Sequence, residues 1–385
     1  MRIMNKQIYL DHAATTDVLP EVRDAMLPYL SDDFGNASAS YELGEHAHLV
    51  LEEAREKIAH CIGAKPSEIY FTSGGSESDN WAIKNTAGEQ KHIGKHVITS
   101  KIEHHAILHS CEYLEQLGYE VTYLGVDEQG IIDLQELQES ITPQTTLISC
   151  MYGNNEIGTL QPIVEIGKIA RRNHIYFHTD AVQVVGQLPI DLRQLPVDML
   201  SASAHKFHGP KGVGFLYVRD GVMIPSFIHG GSQEMGKRAG TENVAGIVGM
   251  AKALICSVNE LPEARRRIRY LRNYLVERVL KEIPDVRYNG HPGLRLPGNA
   301  NFSFKGIEAT TLLVLLEEDG IFASAGSACN TGKSRVSHVI EAIGVPEDYA
   351  AGTIRFTLGR ENTKEEIDQT IESLKQNVML LRQFN

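Results

Sequence analysis

Between residues 69 and 218, short apolar segments alternate with longer stretches of helical period, and this alternation constrains the fold most. "EIYFTSGG", "KHVITS", "YEVTYLGV", "TTLISCMYG", "IYFHTDAVQ", "VDMLSASAHK" and "GVGFLYVR" each begin with a run too short for a helix and mostly without a polar face. Strands apolar on both faces belong in a mainly parallel sheet covered by helices on both sides. "SESDNWAIKNTAGEQ", "HHAILHSCEYLEQLG" and "PIVEIGKIARRNH" supply those helices, and Ser76 is the expected N-cap of the first. Upstream, "HLVLEEAREKIAHCIG" reads as a further helix ended by Gly63.

The texture changes after "GTENVAGIVGM". A long helical stretch, "AKALICSVNELPEARRRIRYLRNYLVERVLKEI", is expected to break at Pro262. "VRYNG", "NANFSF", "EATTLLVLLEEDG" and "TKEEIDQTIESLKQNVMLLRQF" then read as a smaller α+β unit. A chain of 385 residues exceeds what one core usually supports. The expected division is a large domain over residues 16–261 and a small one made of residues 1–15 and 262–385.

Composition narrows the function. Against 49 acidic residues stand 37 basic ones, a formal net charge of −12, which argues against coating nucleic acid or binding membranes through a polybasic surface. The five cysteines, Cys61, Cys111, Cys150, Cys256 and Cys329, are scattered and form no CxxC pair, so neither a disulfide framework nor a thiolate metal site is indicated. The N-terminal residues show no signal-peptide apolar core, and no uninterrupted apolar run reaches membrane-spanning length. A reduced, cytoplasmic setting is the expectation.

Three strand ends carry chemistry. Lys206 follows a strand in "SASAHKFHGPKGVGF", whereas Lys211 lies inside the next turn, the usual setting of a solvated lysine. Asp180 ends the strand of "FHTDAVQ", with Gln183 just beyond. "FTSGGSES" places Gly74, Gly75 and the Ser76 hydroxyl at a strand-to-helix turn, where free N–H groups suit a phosphate. Taken singly, these are a surface charge, a helix cap and a tight turn. Together they match the needs of pyridoxal 5′-phosphate: an amine for its aldehyde, a carboxylate for its ring nitrogen and a cup for its phosphate. His104, in "KIEHHAILH", could stack on the ring. A metal read from His105 with His109, or His205 with His208, lacks a third ligand nearby in sequence, so no metal is expected.

In "IFASAGSACNTGKSR", Cys329 stands among small and turn-forming residues, with Lys333 and Arg335 just beyond. Its plain reading is a small hydrophobe lining a turn. The rest of the chain supplies a different one. "YLDHAATT", "FGNAS", "FTSGGSES", "KIEHHA", "YGNNEIGT", "FHTDAVQ", "SASAHKFHGPKG", "RAGTENV", "SAGSAC" and "TIRFTLGR" occur in this order over nearly the whole chain. With them the sequence resembles the cysteine desulfurases, pyridoxal phosphate enzymes of the class V aminotransferase group.

The resemblance implies a fold-type I transferase, with a seven-stranded, mainly parallel sheet in the large domain. It also implies roles by position. Lys206 would carry the cofactor and move the substrate's Cα proton, Asp180 pair with the ring nitrogen, Gln183 with the phenolic oxygen, and His104 stack on the ring. Gly75, Ser76, Ser203 and His205 would hold the phosphate, joined by Thr241 from the other subunit of a homodimer. Asn155 and Arg355 would bind the substrate carboxylate, with Asn36 assisting. Cys329 would take sulfur from L-cysteine as a persulfide, leaving L-alanine, and deliver it to an acceptor protein or iron–sulfur scaffold. A bendable loop of small residues suits that traffic.

Within pyridoxal chemistry the alternatives are a selenocysteine lyase or a transaminase of the same fold. A non-catalytic scaffold would be expected to lose Lys206, Asp180 or the glycine cup, and all are present. A zinc hydrolase would use the histidine-rich segments. Departures from the family pattern are "NTGKSR" after the cysteine, Ala37 and Tyr41 after "FGN", and His208 where tyrosine is commoner. The first bears on the choice of sulfur acceptor, the second on substrate entry.

Overall fold

The computed structural model describes residues 7–325 and 336–384. Its centre is a seven-stranded sheet in the order Ile69–Thr72, Gly214–Val218, Met199–Ser203, Tyr176–Asp180, Thr145–Ser149, His96–Ser100, Glu120–Leu124. Gly214–Val218 runs antiparallel to both neighbours, and every other pair is parallel. The strands ending at Thr72, Ser100, Ser149, Asp180 and Ser203 therefore point the same way, and the loops that follow them share one edge. Ligands of open α/β sheets sit at that edge.

Apolar residues alternate between two packed faces, as the strand pleat requires. Ile98, Ile148, Phe215 and Tyr217 join one core with the Glu42–Ile62 and Ile163–Arg172 helices. Val97, Leu147, Leu216 and Val218 join another with Trp81, Ile107 and Cys111. Gly63 ends the Glu42–Ile62 helix in the left-handed region at φ 70°, as its sequence position predicts.

A separate apolar cluster gathers Ile8 and Leu10 with Leu271, Leu275, Phe302, Phe356 and Leu374. Around it lie an antiparallel sheet of Val286–Asn289, Asn299–Phe304 and Thr353–Thr357, and a parallel pair of Ile8–Tyr9 with Ile321–Phe322. Ile102, Met151 and Ile157 pack on Val339, Ile340 and Ile343, joining this part of the chain to the main sheet.

Two local expectations are corrected. The helix expected to break at Pro262 runs unbroken from Val244 to Glu282. Met250 and Leu254 are buried in the large core, Leu271, Leu275 and Val279 in the smaller one. Anchoring at both ends outweighs the ~3 kcal/mol that an interior proline costs. An 18-residue window of this helix has mean hydropathy 1.5, enough by length and composition to cross a membrane, yet half of it is buried inside the fold.

The helix expected to be capped by Ser76 instead spans Gly75–Gln90 with Gly74 as N-cap. Gly74 has φ 147° and ψ −174°, a conformation that side chains rarely allow, and it starts the helix early. A short helix, Leu134–Ser140, on which the sequence reading is silent, lies between the strands Glu120–Leu124 and Thr145–Ser149. Asp133 caps it by accepting the Gln135 N–H at 2.7 Å.

Candidate active site

A cavity of about 580 Å³ opens at the shared strand edge. Its wall includes Gly75, Ser76, His104, Asn155, Asp180, Gln183, Ser203, His205, Lys206 and Arg355, residues far apart in sequence. Lys206 lies in the 3-10 turn Ala204–Lys206, directly after Met199–Ser203, and Asp180 ends the neighbouring strand.

The Lys206 ammonium donates to the Ala13 carbonyl at 2.6 Å and the Ala14 carbonyl at 2.9 Å. Burial, and then the Arg355 charge, lower its pKa to about 8 against the opposing pull of Asp180 and Asp11. The Gln183 amide also donates to Ala13 O, at 3.0 Å. The segment around Ala13 thus covers the lysine from above the sheet edge.

Asp180 is buried and accepts the Val182 N–H at 2.9 Å. Burial raises its pKa, while His104 and Lys206 pull it back. Behind it, both ring nitrogens of the wholly buried His178 face hydroxyls, Ser149 at 2.9 Å and Ser201 at 2.9 Å. Burial lowers the His178 pKa to about 3 and raises that of Asp79, which lies 3.8 Å from His178 Nε2 and lines the cavity.

His104 caps the His105–Gln116 helix, its Nδ1 accepting the Ala106 N–H at 3.1 Å. A neutral ring therefore carries its proton on Nε2. His104 is exposed, with its ring at the cavity wall. His205 Nδ1 lies 3.1 Å from the Thr15 hydroxyl, and burial with the charges of Lys206 and Lys211 lowers its pKa to about 4.

The Gly75–Gln90 helix points its N-terminus into the cavity and no side chain caps it. Its first-turn N–H groups await an acceptor. A Cβ on Gly75 would meet Val182 Cγ2 at 2.5 Å, so glycine alone fits against that wall. Glu77, in the same turn, is held by Arg238 at 2.9 and 3.2 Å and accepts the Ser73 N–H at 2.8 Å. Burial would raise the Glu77 pKa, but those hydrogen bonds outweigh it and keep the carboxylate ionised and paired.

Arg355 is clamped between the two parts of the chain. Its Nη2 donates to Asp11 at 2.6 Å and its Nη1 to the Asn155 carbonyl at 2.8 Å, while the buried Nε has no partner among the described residues. The cradle at Gly75, the lysine at a strand end, the buried acid and this spare donor together fit pyridoxal phosphate carrying an amino acid.

Two expected residues stand apart. Asn36 is exposed, its Oδ1 accepting the Ser38 N–H at 2.9 Å, and Thr241 is exposed outside its own chain's cavity. Cys329, with Lys333 and Arg335, lies outside the described residues. The structure also places at the wall residues that the sequence does not single out. Lys211, read as a solvated turn lysine, lines the cavity, as do Glu103 and His338. Asp11 holds Arg355, and only its place inside "YLDHAATT" hinted at it. His208 adopts φ 65° and sets Nδ1 3.0 Å from the Asp17 carboxylate, which gives this departure a local partner. The His105 and His109 rings stack at 5.1 Å, but among the described residues no group of three or more His, Cys, Asp or Glu is arranged to hold a metal ion.

The aminotransferase class-V family model matches residues 8–370. A protein named cysteine desulfurase IscS from Methanosarcina thermophila is 52% identical over 381 residues, covering 99% of this chain and 94% of the relative. Another of that name, from Dictyoglomus turgidum, is 51% identical over 379 residues, covering 98% and 96%. Among solved structures, a NifS-like protein matches with TM-score 0.92 at 39% identity, covering 97% of this chain and 100% of that one. SspA in complex with cysteine matches with TM-score 0.82 at 40% identity, covering 93% and 100%.

Proposed function

The chain belongs to the class-V aminotransferase family and is a cysteine desulfurase that uses pyridoxal 5′-phosphate, and from that premise we propose how its residues divide the work. The observation that carries the reading is the single cavity uniting Lys206, Asp180, the Gly75 helix end and Arg355. When bound, the cofactor supplies an aldehyde for amines and a ring that accepts electrons from the substrate carbon.

Lys206 would anchor it and, with a pKa near 8, exchange a proton at the substrate Cα. Asp180 would hold the proton on the ring nitrogen, and Gln183 would donate to the phenolic oxygen. His104 would lie on the ring face. Gly75, Ser76, Ser203 and His205 would bind the phosphate, with Thr241 of a second copy completing the cup in a homodimer. Arg355, through its unpartnered Nε, and Asn155 would seat the carboxylate of L-cysteine. Asn36 would assist in binding that carboxylate.

In the sulfur step, the Cys329 thiolate would attack the substrate sulfur. An S–S bond forms, the substrate C–S bond breaks, and its electron pair stays with the carbon that becomes the alanine methyl after protonation. The persulfide would pass to an acceptor thiol of an iron–sulfur scaffold or a thiolation pathway in the cytoplasm. Residues 16–261 would act as the cofactor-holding domain, with residues 1–15 and 262–385 as the small domain that carries Cys329.

The test is a turnover assay with L-cysteine and a reductant. Alanine and sulfide should appear in equal amounts, and peptide mapping without reductant should find the extra sulfur on Cys329. Sulfide release at full rate from Cys329→Ala would show that no protein thiol is needed.

A further inference from the structure

A second cavity, of about 70 Å³, lies where the Lys206–His208 turn meets the Val244–Glu282 helix and residues 358–360. Its wall draws on both apolar clusters: Phe207 belongs to the large one, Leu358 with Ile268 packed beside it to the smaller, and the buried Leu261 lies at the same wall. Among its lining residues is Arg265, half-buried, whose Nε is shut off from solvent and has no partner.

Of the other arginines of this helix, Arg266 and Arg269 are exposed and three are paired within the fold. Arg267 donates to the carbonyls of Arg360 and Asn362, Arg272 to the Asn299 carbonyl, and Arg278 to Asp368. Arg360, which also lines the cavity, is neutralised by Glu260 at 3.0 Å and Glu361 at 3.1 Å. Arg265, unlike the exposed Arg266 and Arg269, faces the cavity, and it forms no hydrogen bond or ion pair within the described residues, the Glu260 carboxylate at the same wall being engaged by Arg360. A buried donor left open in this way marks a missing acceptor. His12, which also lines the cavity, is buried, and its Nδ1 has no partner within the described residues.

We propose that this cavity is a binding site for a small anion, a carboxylate or an inorganic oxyanion, received by the Arg265 guanidinium. The volume admits only a few heavy atoms, and a planar fork of N–H donors suits either oxygen pair. A ligand there would touch both parts of the chain at once and would sit against the turn bearing Lys206. It would therefore stabilise their present arrangement by mass action.

The experiment uses the holoenzyme saturated with pyridoxal phosphate, so that added phosphate does not compete for the cofactor's cup. Thermal denaturation and calorimetric titration are run with sodium phosphate, sulfate and acetate, against sodium chloride at matched ionic strength. A saturable rise in the midpoint with at least one of the three anions, beyond that with chloride, is expected. Response to phosphate and sulfate alone identifies an oxyanion site, and response to acetate a carboxylate site. Arg265→Gln should weaken the binding about tenfold, and Arg265→Lys less, because the charge remains without the fork. Arg266→Gln, altering an exposed neighbour, should leave it unchanged. Absence of any saturable response, or an equal response in Arg265→Gln, would overturn the proposal.

Discussion

Arg355 and Asp11 meet at 2.6 Å across the join between the Thr353–Thr357 strand and the N-terminal segment. The pair fixes the guanidinium plane, and the Asn155 carbonyl takes a further N–H at 2.8 Å, so that only Nε is left without a partner among the described residues. If that donor receives the substrate carboxylate, Arg355→Lys should raise KM for L-cysteine by about 10- to 100-fold. The cofactor spectrum should stay unchanged. Asp11→Asn should give a smaller rise, since it loosens the guanidinium without removing it. Steady-state kinetics check both.

Gly75→Ala should weaken cofactor binding about tenfold, because the new methyl meets Val182 Cγ2 at 2.5 Å and moves the helix end that receives the phosphate. Adding Val182→Ala should recover part of the loss. Titration of the apoenzyme with pyridoxal phosphate measures this independently of turnover.

Glu234 is buried, receives Arg55 through two 2.8 Å bonds and accepts the Phe71 N–H at 2.8 Å. It does so from a left-handed conformation at φ 47°, followed by Met235 at φ 55°. The ion pair thus ties a strained loop to the edge strand Ile69–Thr72. Arg55→Ala should cost about 3–5 kcal/mol, because it leaves the buried Glu234 carboxylate without its cation, and Glu234→Ala should cost less, because Arg55 keeps Glu52 at 3.1 Å. The double variant should fall short of the sum when stability is measured by urea unfolding.

Acid should destabilise the fold through His178. Its folded pKa is about 3 against 6.5 when unfolded, so between those values the unfolded chain binds a proton that the folded one refuses. Stability therefore falls as pH drops through this window, by up to about 1.4 kcal/mol per pH unit. His12, lowered to about 4 mainly by burial, adds with the same sign. Glu103 acts oppositely: burial raises its pKa to about 8, and its contribution is lost as pH rises towards that value. Measured by urea midpoints at pH 7, 6 and 5, His178→Gln should lose less stability towards acid than the native chain, and Glu103→Gln should lose more.

Much of this site is legible locally. Asp180, Lys206 and the Gly74–Gly75 turn are readable because each follows a short apolar run, and parallel strands bring such ends to one edge. What could not be read depends on contacts distant in sequence. Nothing near Ala13 announces that its carbonyl will receive both Lys206 and Gln183. Lys211 looks solvated because its turn is polar, and only the folding of that turn over the sheet edge brings it to the cavity. Pro262 misleads because local cost is weighed there without the two cores that hold the helix ends. The Leu134–Ser140 helix is too short for periodicity, although Asp133 with Glu136 is a capping signature that could have revealed it.

The most direct test of the central claim is visible absorption of the apoenzyme titrated with pyridoxal phosphate and then L-cysteine, with alanine quantified, for the native chain and Lys206→Ala. The native chain should develop a visible band that shifts on adding L-cysteine while alanine accumulates, and Lys206→Ala should form almost none. A native chain that gains no cofactor-dependent band, or a Lys206→Ala variant that makes alanine at an undiminished rate, would contradict the account.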